Sequence, residues 1–297
     1  MHARTATIVV NWNGASFLAP CLEAIRAGGS PTHVLLVDNA STDDSVDLVR
    51  RRFPHVEVIS NPRNDGWARG NNIGIRHALD AGFEFLALFN TDSRPAPGWA
   101  REVEHAFDAD ARLGALGFRL FEGRDPELDR AFQQAARLPD GSIEQRVESL
   151  TGAAMAVRAE ALREVGLIDE AYFLYCEDLD LCERLRAAGY GLVRLSLPVR
   201  HLSEGSSRST PWQSAYLSMR NSVRLHLRWH GAGAALRHSW GIFRIAGGFD
   251  RLKDPDDIRH RYLPGGRLAS VAILAGALAW NLIHLPGTIR KAPRVTV

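Results

Sequence analysis

The sequence has few cysteines, and none of them are paired at the spacing of a metal-binding or redox motif. Its 297 residues contain only Cys21, Cys176 and Cys182, with no C-x-x-C pair among them. Three thiols cannot all be disulfide-bonded within one chain, so a reducing compartment, the cytoplasm, is the simpler expectation. The opening residues, MHARTATIVVNWNG, also lack the long apolar core of a signal peptide.

Neither sign of charge dominates the sequence. Lysine and arginine total 36 against 34 aspartates and glutamates, which gives a formal net charge of +2. There is no arginine-rich arm, and both features argue against nucleic acid as a partner. With 45% hydrophobic and 24% charged residues, the composition is that of a folded globular protein. The length suits one large domain or two modest ones.

Two common phosphate-binding motifs are also missing. The first apolar run, Thr5 to Val10, is followed by NWNGAS rather than G-x-G-x-x-G, and no G-x-x-x-x-G-K-[ST] occurs. These absences argue against a dehydrogenase and against a sugar-phosphate nucleotidyltransferase, which would need a glycine-rich, basic loop there. Gly66, Gly70 and Gly74 are spaced by four in a helix-like segment, a pattern whose ordinary cause is close helix packing.

Apolar runs alternate with amphipathic segments, which predicts a mostly parallel sheet with helices on both faces. We predict strands at Thr5 to Val10, His33 to Val37, Val56 to Ile59, Phe85 to Phe89, Leu113 to Leu120, Leu150 to Val157 and Gly191 to Leu197. Helices are predicted at Ser16 to Ala27, Asp43 to Phe53, Trp67 to Ala81, Pro97 to Ala109 and Asp178 to Ala188. The polar stretch from Glu122 to Glu148 is interpreted as a substrate-side excursion.

The early strands all lead into loops rich in Asn and Asp: Asn11, Asp38, Asn64-Asp65 and Asn90-Thr91-Asp92. Carboxyl ends of parallel strands share one edge, where open α/β sheets bind their ligands. These side chains would suit a nucleotide and a divalent cation. Asp38 can accept from the N3–H of a uracil or thymine ring. The alternative is that Asp38 and Asp92 are turn or cap residues.

A second group of acids, Glu177, Asp178, Asp180 and Glu183, directly follows an aromatic run in YFLYCEDLDLCE. Acids at a helix N-terminus stabilise it through the dipole by roughly 0.3–1 kcal/mol each, which explains part of the cluster. A carboxylate beside apolar groups also tends to have a raised pKa and can act as a general base. His201, after the last predicted strand, is either structural or a metal ligand.

Taken in order, these segments resemble the family 2 glycosyltransferases of GT-A fold, in particular the bacterial rhamnosyltransferase-like branch. The resemblance runs from Thr5 to about Ser207. IVVNWNG resembles the opening strand, VDNASTDDS the base loop, NDGWARGNNIGI the helix after it, and FNTDS the metal motif. TGAAMAVR resembles the acceptor-side strand, YCEDLDLCERLRAAGY the base-bearing loop and helix, and HLSEGSS the closing element.

The resemblance implies inverting transfer of one sugar from a nucleoside-diphosphate sugar in cell-envelope or polysaccharide biosynthesis. The preferred donor is dTDP-rhamnose, with UDP- and GDP-sugars left open, and the acceptor is a saccharide or a polyprenyl-diphosphate saccharide. The QxxRW motif of processive cellulose and chitin synthases is absent, which favours a single transfer. The alternative is a catalytically silent sugar-nucleotide-binding or assembly protein on the same fold.

The resemblance also assigns roles to residues. Those expected at the nucleotide sugar are Asn11, Asn13, Asp38, Asn39, Asn64, Gly66, Asn71, Asn90 and Asp92. Asp92 would bind Mg²⁺ or Mn²⁺ on the diphosphate, helped by His201. Asp178 would be the general base, with Glu177 and Asp180 positioning the acceptor or supporting Asp178. Arg184 would pair with Asp180 or touch phosphate. The sequence departs from the family at Asn90, where a first Asp is expected.

We predict a catalytic domain over residues 1–208, with a donor half to about residue 120, an acceptor half over 121–208, and a helical region over 209–297. In the helix Trp212 to Trp229, the basic face of Arg220, Arg224 and Arg228 either lies on an anionic membrane or is solvated. Leu268 to Leu285 is marginal as a membrane span, which needs ~20 mostly apolar residues. We favour an interfacial or protein-packed helix there. The expected location of the protein is the cytoplasm, either free or in peripheral contact with the inner face of the cell membrane.

Overall fold

The computed structural model of the protein describes residues 3–137, 141–203, 210–246 and 266–290. The strands are β1 (Thr5–Asn11), β2 (Thr32–Asn39), β3 (Glu57–Asn61), β4 (Phe85–Asn90), β5 (Ser93–Pro95), β6 (Leu113–Glu122), β7 (Ile143–Arg146), β8 (Ala154–Arg158) and β9 (Gly191–His201). The helices are α1 (Ala15–Arg26), α2 (Ser45–Arg52), α3 (Gly66–Asp80), α4 (Trp99–Ala109), α5 (Pro126–Ala136), α6 (Ala159–Val165), α7 (Glu177–Ala187), α8 (Pro211–Trp229), α9 (Gly231–Ala246) and α10 (Gly266–Arg290).

All of these strands belong to one sheet in the order β3-β2-β1-β4-β8-β6-β9-β5, with β7 paired to β9. The first four strands are parallel, as the alternating pattern predicted. The second half is mixed, because β8 runs antiparallel to both β4 and β6 while β6 and β9 are parallel. The predicted α/β architecture is confirmed, and the parallel half brings its polar strand ends to one edge.

The sheet is buried on both faces, which explains why its strands are continuous apolar runs. In β4, Phe85, Ala87 and Phe89 join the core on one face, while Leu86 and Leu88 join the core on the other. The exceptions are β7, whose residues are exposed, and β3, in which only Asn61 is buried. The other strands contribute mostly buried side chains.

Helix α3 packs closely on β1 through two of its glycines. A Cβ on Gly70 would lie 2.7 Å from Cγ1 of Val10, and one on Gly74 would lie 2.7 Å from Cγ2 of Ile8. Real Cβ atoms do not approach this closely, so the four-residue spacing of glycines reflects helix packing, as the sequence indicated.

The chain divides into two compact units. One comprises residues 3–170 and 181–203 and contains the sheet. The other comprises the segment 171–180 and the described residues from 210 onward. The segment 171–180 was placed in the acceptor half on sequence grounds, but it groups with the C-terminal helices. The boundary predicted at residue 208 lies in a stretch outside the described residues.

The C-terminal helices share a small core of Met219, Ile242, Leu274 and Ala277. In α8, Arg220, Arg224 and Arg228 are buried, with 8%, 3% and 8% of their surfaces exposed. Both expectations for these arginines are therefore wrong, since they form neither a solvated face nor a membrane-facing one. Among the described helices, the stretch Gly266–Thr288 of α10 is long and apolar enough to cross a membrane by length and composition alone, which is weak evidence.

Candidate active site

Asn11 and Asp38 form a buried polar network at the carboxyl edge of the sheet. They end neighbouring strands and are paired in register. Asn11 Nδ2 lies within hydrogen-bond distance of Asp38 Oδ1 (2.8 Å), Ser41 Oγ (3.0 Å) and Ser45 Oγ (2.9 Å). Asp38 also accepts from Ser41, through the hydroxyl at Oδ1 (2.6 Å) and through the backbone N–H at Oδ2 (3.1 Å). The network fixes the Asp38 carboxylate while leaving Oδ2 with one described bond.

Asn13 shapes the loop that follows β2. Its backbone is left-handed at φ 53°, and its Oδ1 accepts from the backbone N–H of Thr42 (2.7 Å) and Asp43 (3.3 Å). In the same loop, burial raises the pKa of Asp43, but hydrogen bonds from Ser45 and from the Ala15 backbone outweigh it and hold that pKa below its usual range. The loop is therefore built by its own side chains before any ligand binds.

The asparagines around α3 also bond within the protein. Asn39 Nδ2 donates to Gly66 O (3.0 Å), and Asn64 Oδ1 accepts from Gly66 N (3.0 Å), at a glycine with φ 81°. Asn71 Nδ2 donates to Trp67 O (2.9 Å). These bonds build the turn into α3. Direct contact of Asn39, Asn64, Gly66 or Asn71 with a nucleotide stays a prediction.

In the motif Asn90-Thr91-Asp92, the first and last residues contact different side chains. Asn90 Oδ1 accepts from Trp67 Nε1 (2.9 Å), so the Asn orients an indole ring. Asp92 is buried, and its Oδ1 lies 3.3 Å from Nε2 of His201. This approach follows from the pairing of β5 with β9, which puts Ser93 opposite His201. The predicted partnership of Asp92 and His201 therefore has the required proximity.

Glu122, which sequence reasoning did not single out, completes this cluster. It ends β6 in register with His201, the last residue of β9. Its Oε1 lies 3.0 Å from His201 Nδ1 and accepts from Ser203 Oγ (2.8 Å). Its place at the end of a strand was the available signal, but without the β6–β9 pairing it looked like the first residue of a polar loop. Residues 204–207 of the predicted closing element lie outside the described residues.

Burial lowers the pKa of His201, but hydrogen bonds to the Asp92 and Glu122 carboxylates outweigh this effect. The pKa of the imidazole rises from 6.5 to about 9. In the metal-free protein the ring is therefore a cation between two carboxylates at neutral pH. A divalent ion at Asp92 would replace the proton on Nε2 as the positive charge of the cluster.

The Asp92 and His201 donor atoms fit a common divalent ion. Ligands about 2.1 Å from an octahedral ion lie about 3 Å from one another, close to the observed 3.3 Å. Glu122 holds the other ring nitrogen, an arrangement that orients metal-bound histidines. A second group, His33, Glu57 and His77, also offers ligand atoms within 4.8 Å of one another. It lies at the opposite end of the strands, because His33 and Glu57 stand at the starts of β2 and β3.

Three of the four acids that follow the aromatic run have distinct surroundings at the start of α7. Asp180 is fully buried, and its Oδ1 accepts from Arg228 Nη1 (2.9 Å) and Trp229 Nε1 (3.0 Å). It is thus a poor direct partner for an acceptor, and these bonds fit the supporting role that was its alternative. Arg184 donates to the carbonyls of Val165 (2.9 Å) and Gly166 (2.8 Å), while its predicted pair with Asp180 or a phosphate stays a prediction.

Glu177 and Asp178 differ in how deeply they are buried. Burial, then the charge of Asp178, raises the pKa of Glu177 well above its ordinary 4.5, and its Oε2 has no partner among the described residues. The raised pKa favours the protonated form of Glu177, which makes Glu177 a weaker candidate for the base than its neighbour. Asp178 is half-buried, and its Oδ1 accepts from Leu179 N (2.8 Å). Of the three predicted acids, Asp178 is the least buried, and its role as the general base stays a prediction.

The chain leading into α7 is strained. Phe173, Tyr175 and Cys176 have φ of 64°, 73° and 67°. A left-handed backbone costs a residue with a Cβ roughly 1–2 kcal/mol, so three within four positions need support from their surroundings.

Comparison with curated proteins places these features in a known group. The chain is similar to the N-acetylglucosaminyl-diphospho-decaprenol L-rhamnosyltransferase of Mycobacterium tuberculosis, with 30% identity over 54% of this chain and 62% of that protein. It is also similar to the dTDP-rhamnosyl transferase RfbF of Shigella flexneri, with 23% identity over 69% of this chain and 71% of that protein. The chain thus spans less than two thirds of the first of these relatives.

Among solved structures, the chain is similar to the mannosyltransferase PcManGT from Pyrobaculum calidifontis in complex with GDP-Man and Mn²⁺. The TM-score is 0.56 at 18% identity, covering 95% of this chain and 76% of that one. This likeness concerns the fold, which is GT-A. The sequence profile of "Glycosyl transferase family 2" matches residues 7–168, more than half of the chain. The chain therefore belongs to glycosyl transferase family 2, and its curated relatives include rhamnosyltransferases.

Proposed function

We propose that this protein is an inverting glycosyltransferase that moves one sugar from a nucleoside-diphosphate sugar to a saccharide or lipid-linked saccharide. The observation that carries the proposal is the pairing of two prepared sites within the sheet-containing unit. The Asn11–Asp38 network offers an oriented carboxylate for a base, and the Asp92–His201–Glu122 cluster offers ligands for a diphosphate-bound cation. Both sites are built from residues at or just beyond strand ends.

Rhamnose from dTDP-rhamnose is the donor we favour, because two similar proteins are named as rhamnosyltransferases and one of them as dTDP-dependent. Asp38 Oδ2 would accept from the N3–H of the thymine ring. The direct test is thermal stability with dTDP, UDP or GDP, each with and without Mn²⁺. Saturating ligand at a hundredfold excess over Kd stabilises by ~2.7 kcal/mol. A shift with dTDP that disappears with EDTA is expected, and no shift with any nucleotide would contradict the proposal.

Asp92 and His201 would hold Mg²⁺ or Mn²⁺ at the donor diphosphate. When bound, the ion offsets the negative charge that develops on the leaving diphosphate. Glu122 would keep Nε2 of His201 directed at the site by accepting from Nδ1. Because Asp92 is buried, little bulk water reaches its carboxylate to compete with it for the ion.

Asp178 would accept the proton of the acceptor hydroxyl as that oxygen attacks the anomeric carbon. Asp178→Asn keeps the shape of the side chain but removes the base. An enzyme should lose at least 10²-fold in kcat, in line with a general-base contribution of 10²–10⁴, while nucleotide binding stays within twofold. If the wild type binds donor yet transfers nothing to any saccharide or lipid-linked acceptor, the silent binding protein is the correct alternative.

The three C-terminal helices support a membrane-bound acceptor such as a polyprenyl-diphosphate saccharide. None of them contains an Asp or Glu, and they expose Leu236 and Trp240 on α9 and Leu268, Leu282 and Ile283 on α10. Arg237 and Arg244 are exposed on α9. Exposed apolar side chains among basic ones favour peripheral binding to an anionic bilayer.

Sedimentation with vesicles tests this part of the proposal. The wild type should pellet with phosphatidylglycerol-containing vesicles, and Trp240→Ser should weaken that binding several-fold. Ile143→Ser, which removes an exposed apolar side chain from β7, is the matched control and should bind as the wild type does. Equal recovery of all three proteins in the supernatant would argue against membrane contact.

A further inference from the structure

The segment that carries the base has no regular structure of its own before α7 begins. From Ala171 to Cys176 it forms bends and turns, with left-handed backbone at Phe173, Tyr175 and Cys176. One short bond within it, Leu174 N to Tyr172 O (2.8 Å), cannot fix this path. The segment 171–180 belongs to the same compact unit as α8, α9 and α10. Its conformation must therefore be set largely by those helices.

Asn221 of α8 is the centre of that support. It is fully buried, and its Nδ2 lies within hydrogen-bond distance of the carbonyls of Tyr172 (2.8 Å), Leu174 (2.7 Å) and Tyr175 (2.9 Å). Arg220 Nε donates to Asn221 Oδ1 (2.8 Å), so the amide is held with its nitrogen toward the segment. One oriented side-chain amide therefore contacts three backbone carbonyls of the strained segment.

Two arginines extend this support along the segment. Arg220 Nη2 donates to the carbonyls of Ala171 (3.0 Å) and Tyr172 (2.9 Å) at its start. Arg228 Nη1 pairs with Asp180 at its end. These contacts explain why the basic residues of α8 are buried, since two of them face the segment rather than water or lipid.

Helix α10 in turn stabilises α8. Asn281 Nδ2 donates to the carbonyl of Arg220 (2.8 Å), and the Arg220 guanidinium lies 4.4 Å from the ring centroid of Trp280. Arg224 Nη1 donates to Thr288 Oγ1 (2.8 Å). Polar residues of the most apolar helix are thus used to fix the helix that contacts the base-bearing segment.

We infer that α8 sets the position of Asp178, with Asn221 as a positioning residue that acts through the backbone of residues 172–175. The inference rests on the proposed function, because it assumes that Asp178 is the base. Its consequence is a separation of effects. The residues predicted to bind the nucleotide lie in the other compact unit. Loss of the Asn221 amide should therefore lower kcat and leave the affinity for the donor unchanged.

Asn221→Asp is the sharpest test, because it keeps the size of the side chain while replacing the donating nitrogen by an acceptor facing three carbonyls. Gln213→Glu makes the same chemical change at an exposed position of α8 and is the matched control. We expect Asn221→Asp to lower kcat at least 30-fold, to leave the nucleotide Kd within twofold, and to shift the acidic limb of the kcat–pH profile. Gln213→Glu should match the wild type.

Hydrogen exchange separates this inference from the proposed function, since it needs no turnover. Amides of residues 172–180 should exchange at least tenfold faster in Asn221→Asp, with the β1, β2 and β4 amides unchanged. Wild-type protein that binds no nucleotide and transfers no sugar would refute the proposed function. Hydrogen exchange would still test whether Asn221 holds the backbone of residues 172–175. Unchanged exchange and kcat in Asn221→Asp would overturn the inference. Failure of both Asn221→Asp and Asn221→Ala to fold would also overturn it, by making the contacts purely structural.

Discussion

At the scale of single residues, neighbouring acids of this protein differ because of what surrounds them. Asp180 ends in a buried ion pair with Arg228, Glu177 is buried beside Asp178, and Asp178 remains half-exposed. A carboxylate needs solvent or a compensating donor to stay ionised. The run Glu177 to Asp180 therefore contains one buried acid with a raised pKa, one acid held in a buried ion pair and one half-exposed candidate base.

Glu177 should make the protein less stable as pH rises. Its pKa is higher in the folded than in the unfolded state, so above about pH 4.5 the folded protein holds a proton that the unfolded chain has released. The free energy of unfolding then falls by up to ~1.4 kcal/mol per pH unit until the folded-state pKa is reached. Glu177→Gln, which does not titrate, should gain stability relative to the wild type between pH 5 and pH 8.

Urea denaturation at several pH values measures this difference. Glu183→Gln, which removes a carboxylate from a more exposed position of α7, controls for the loss of one negative charge. A stability difference between Glu177→Gln and the wild type that stays constant from pH 5 to pH 8 would show that Glu177 is ionised in the folded protein.

Glu122 should matter for the affinity of the divalent ion, although it is not expected to touch it. It bonds Nδ1 of His201, and loss of such a supporting carboxylate typically weakens metal binding by about 10–100-fold. We expect Glu122→Gln to raise the Mn²⁺ dissociation constant within that range in an electron paramagnetic resonance titration with nucleotide present. Glu127→Gln, on the exposed face of α5, should leave it unchanged. Equal Mn²⁺ affinity in both variants would remove Glu122 from the site.

At the scale of elements, the position of α3 depends on its glycines. Gly70 approaches Val10 on one side and Asn39 on the other, at 2.7 and 3.0 Å from a hypothetical Cβ. The helix thereby lies close enough for the Gly66 carbonyl to accept from Asn39. Helix packing and the shape of the nucleotide loop are consequently coupled.

Gly70→Ala should therefore destabilise the protein even though alanine favours helices. Overpacking of this kind costs about 1–3 kcal/mol, more than the ~1 kcal/mol gained from helix propensity. Gly287→Ala in α10, where a Cβ would meet nothing within 4 Å, is the control and should be neutral or stabilising. Chemical denaturation compares the two variants, and a Gly70→Ala protein as stable as the wild type would contradict the close packing.

At the scale of the whole molecule, a net charge of +2 conceals an uneven distribution. Helices α9 and α10 contain arginines and no acids, and Arg237, Arg244 and Arg267 on these helices are exposed. A molecule of nearly balanced charge can in this way present a basic, partly apolar region to an anionic surface.

Salt should separate the electrostatic from the apolar part of membrane binding. The Debye length falls from about 10 Å at 0.1 M to about 3 Å at 1 M salt, which screens the attraction of exposed arginines. Binding to anionic vesicles should therefore weaken several-fold over this range. Arg237→Gln should reduce the salt dependence, with Arg130→Gln on α5 as the control. Vesicle binding that does not respond to salt would mean that apolar contacts alone account for it.

The sequence by itself determined the α/β class, the parallel direction of the first strands, and the polar residues at their ends. Strand and helix periods are local properties, and parallel strands bring their carboxyl ends together whatever their order. Asp38, Asp92 and His201 could therefore be placed near strand ends in advance, while their functional roles stay predictions. The close packing implied by Gly70 and Gly74 was also readable, because only small residues allow such an approach.

Only the tertiary structure decided what depends on distant partners. Glu122 lies beside His201 because β6 pairs with β9, and no local sequence pattern reveals this pairing. Arg220 and Arg228 looked like a solvent or membrane face, because a periodic stripe of charge does not state what lies against it. They are buried because a strained segment some 50 residues earlier in the chain presents carbonyls and a carboxylate to them. Burial and hydrogen bonding across such distances are set by the packing of the folded chain, and they assigned different roles to adjacent acids.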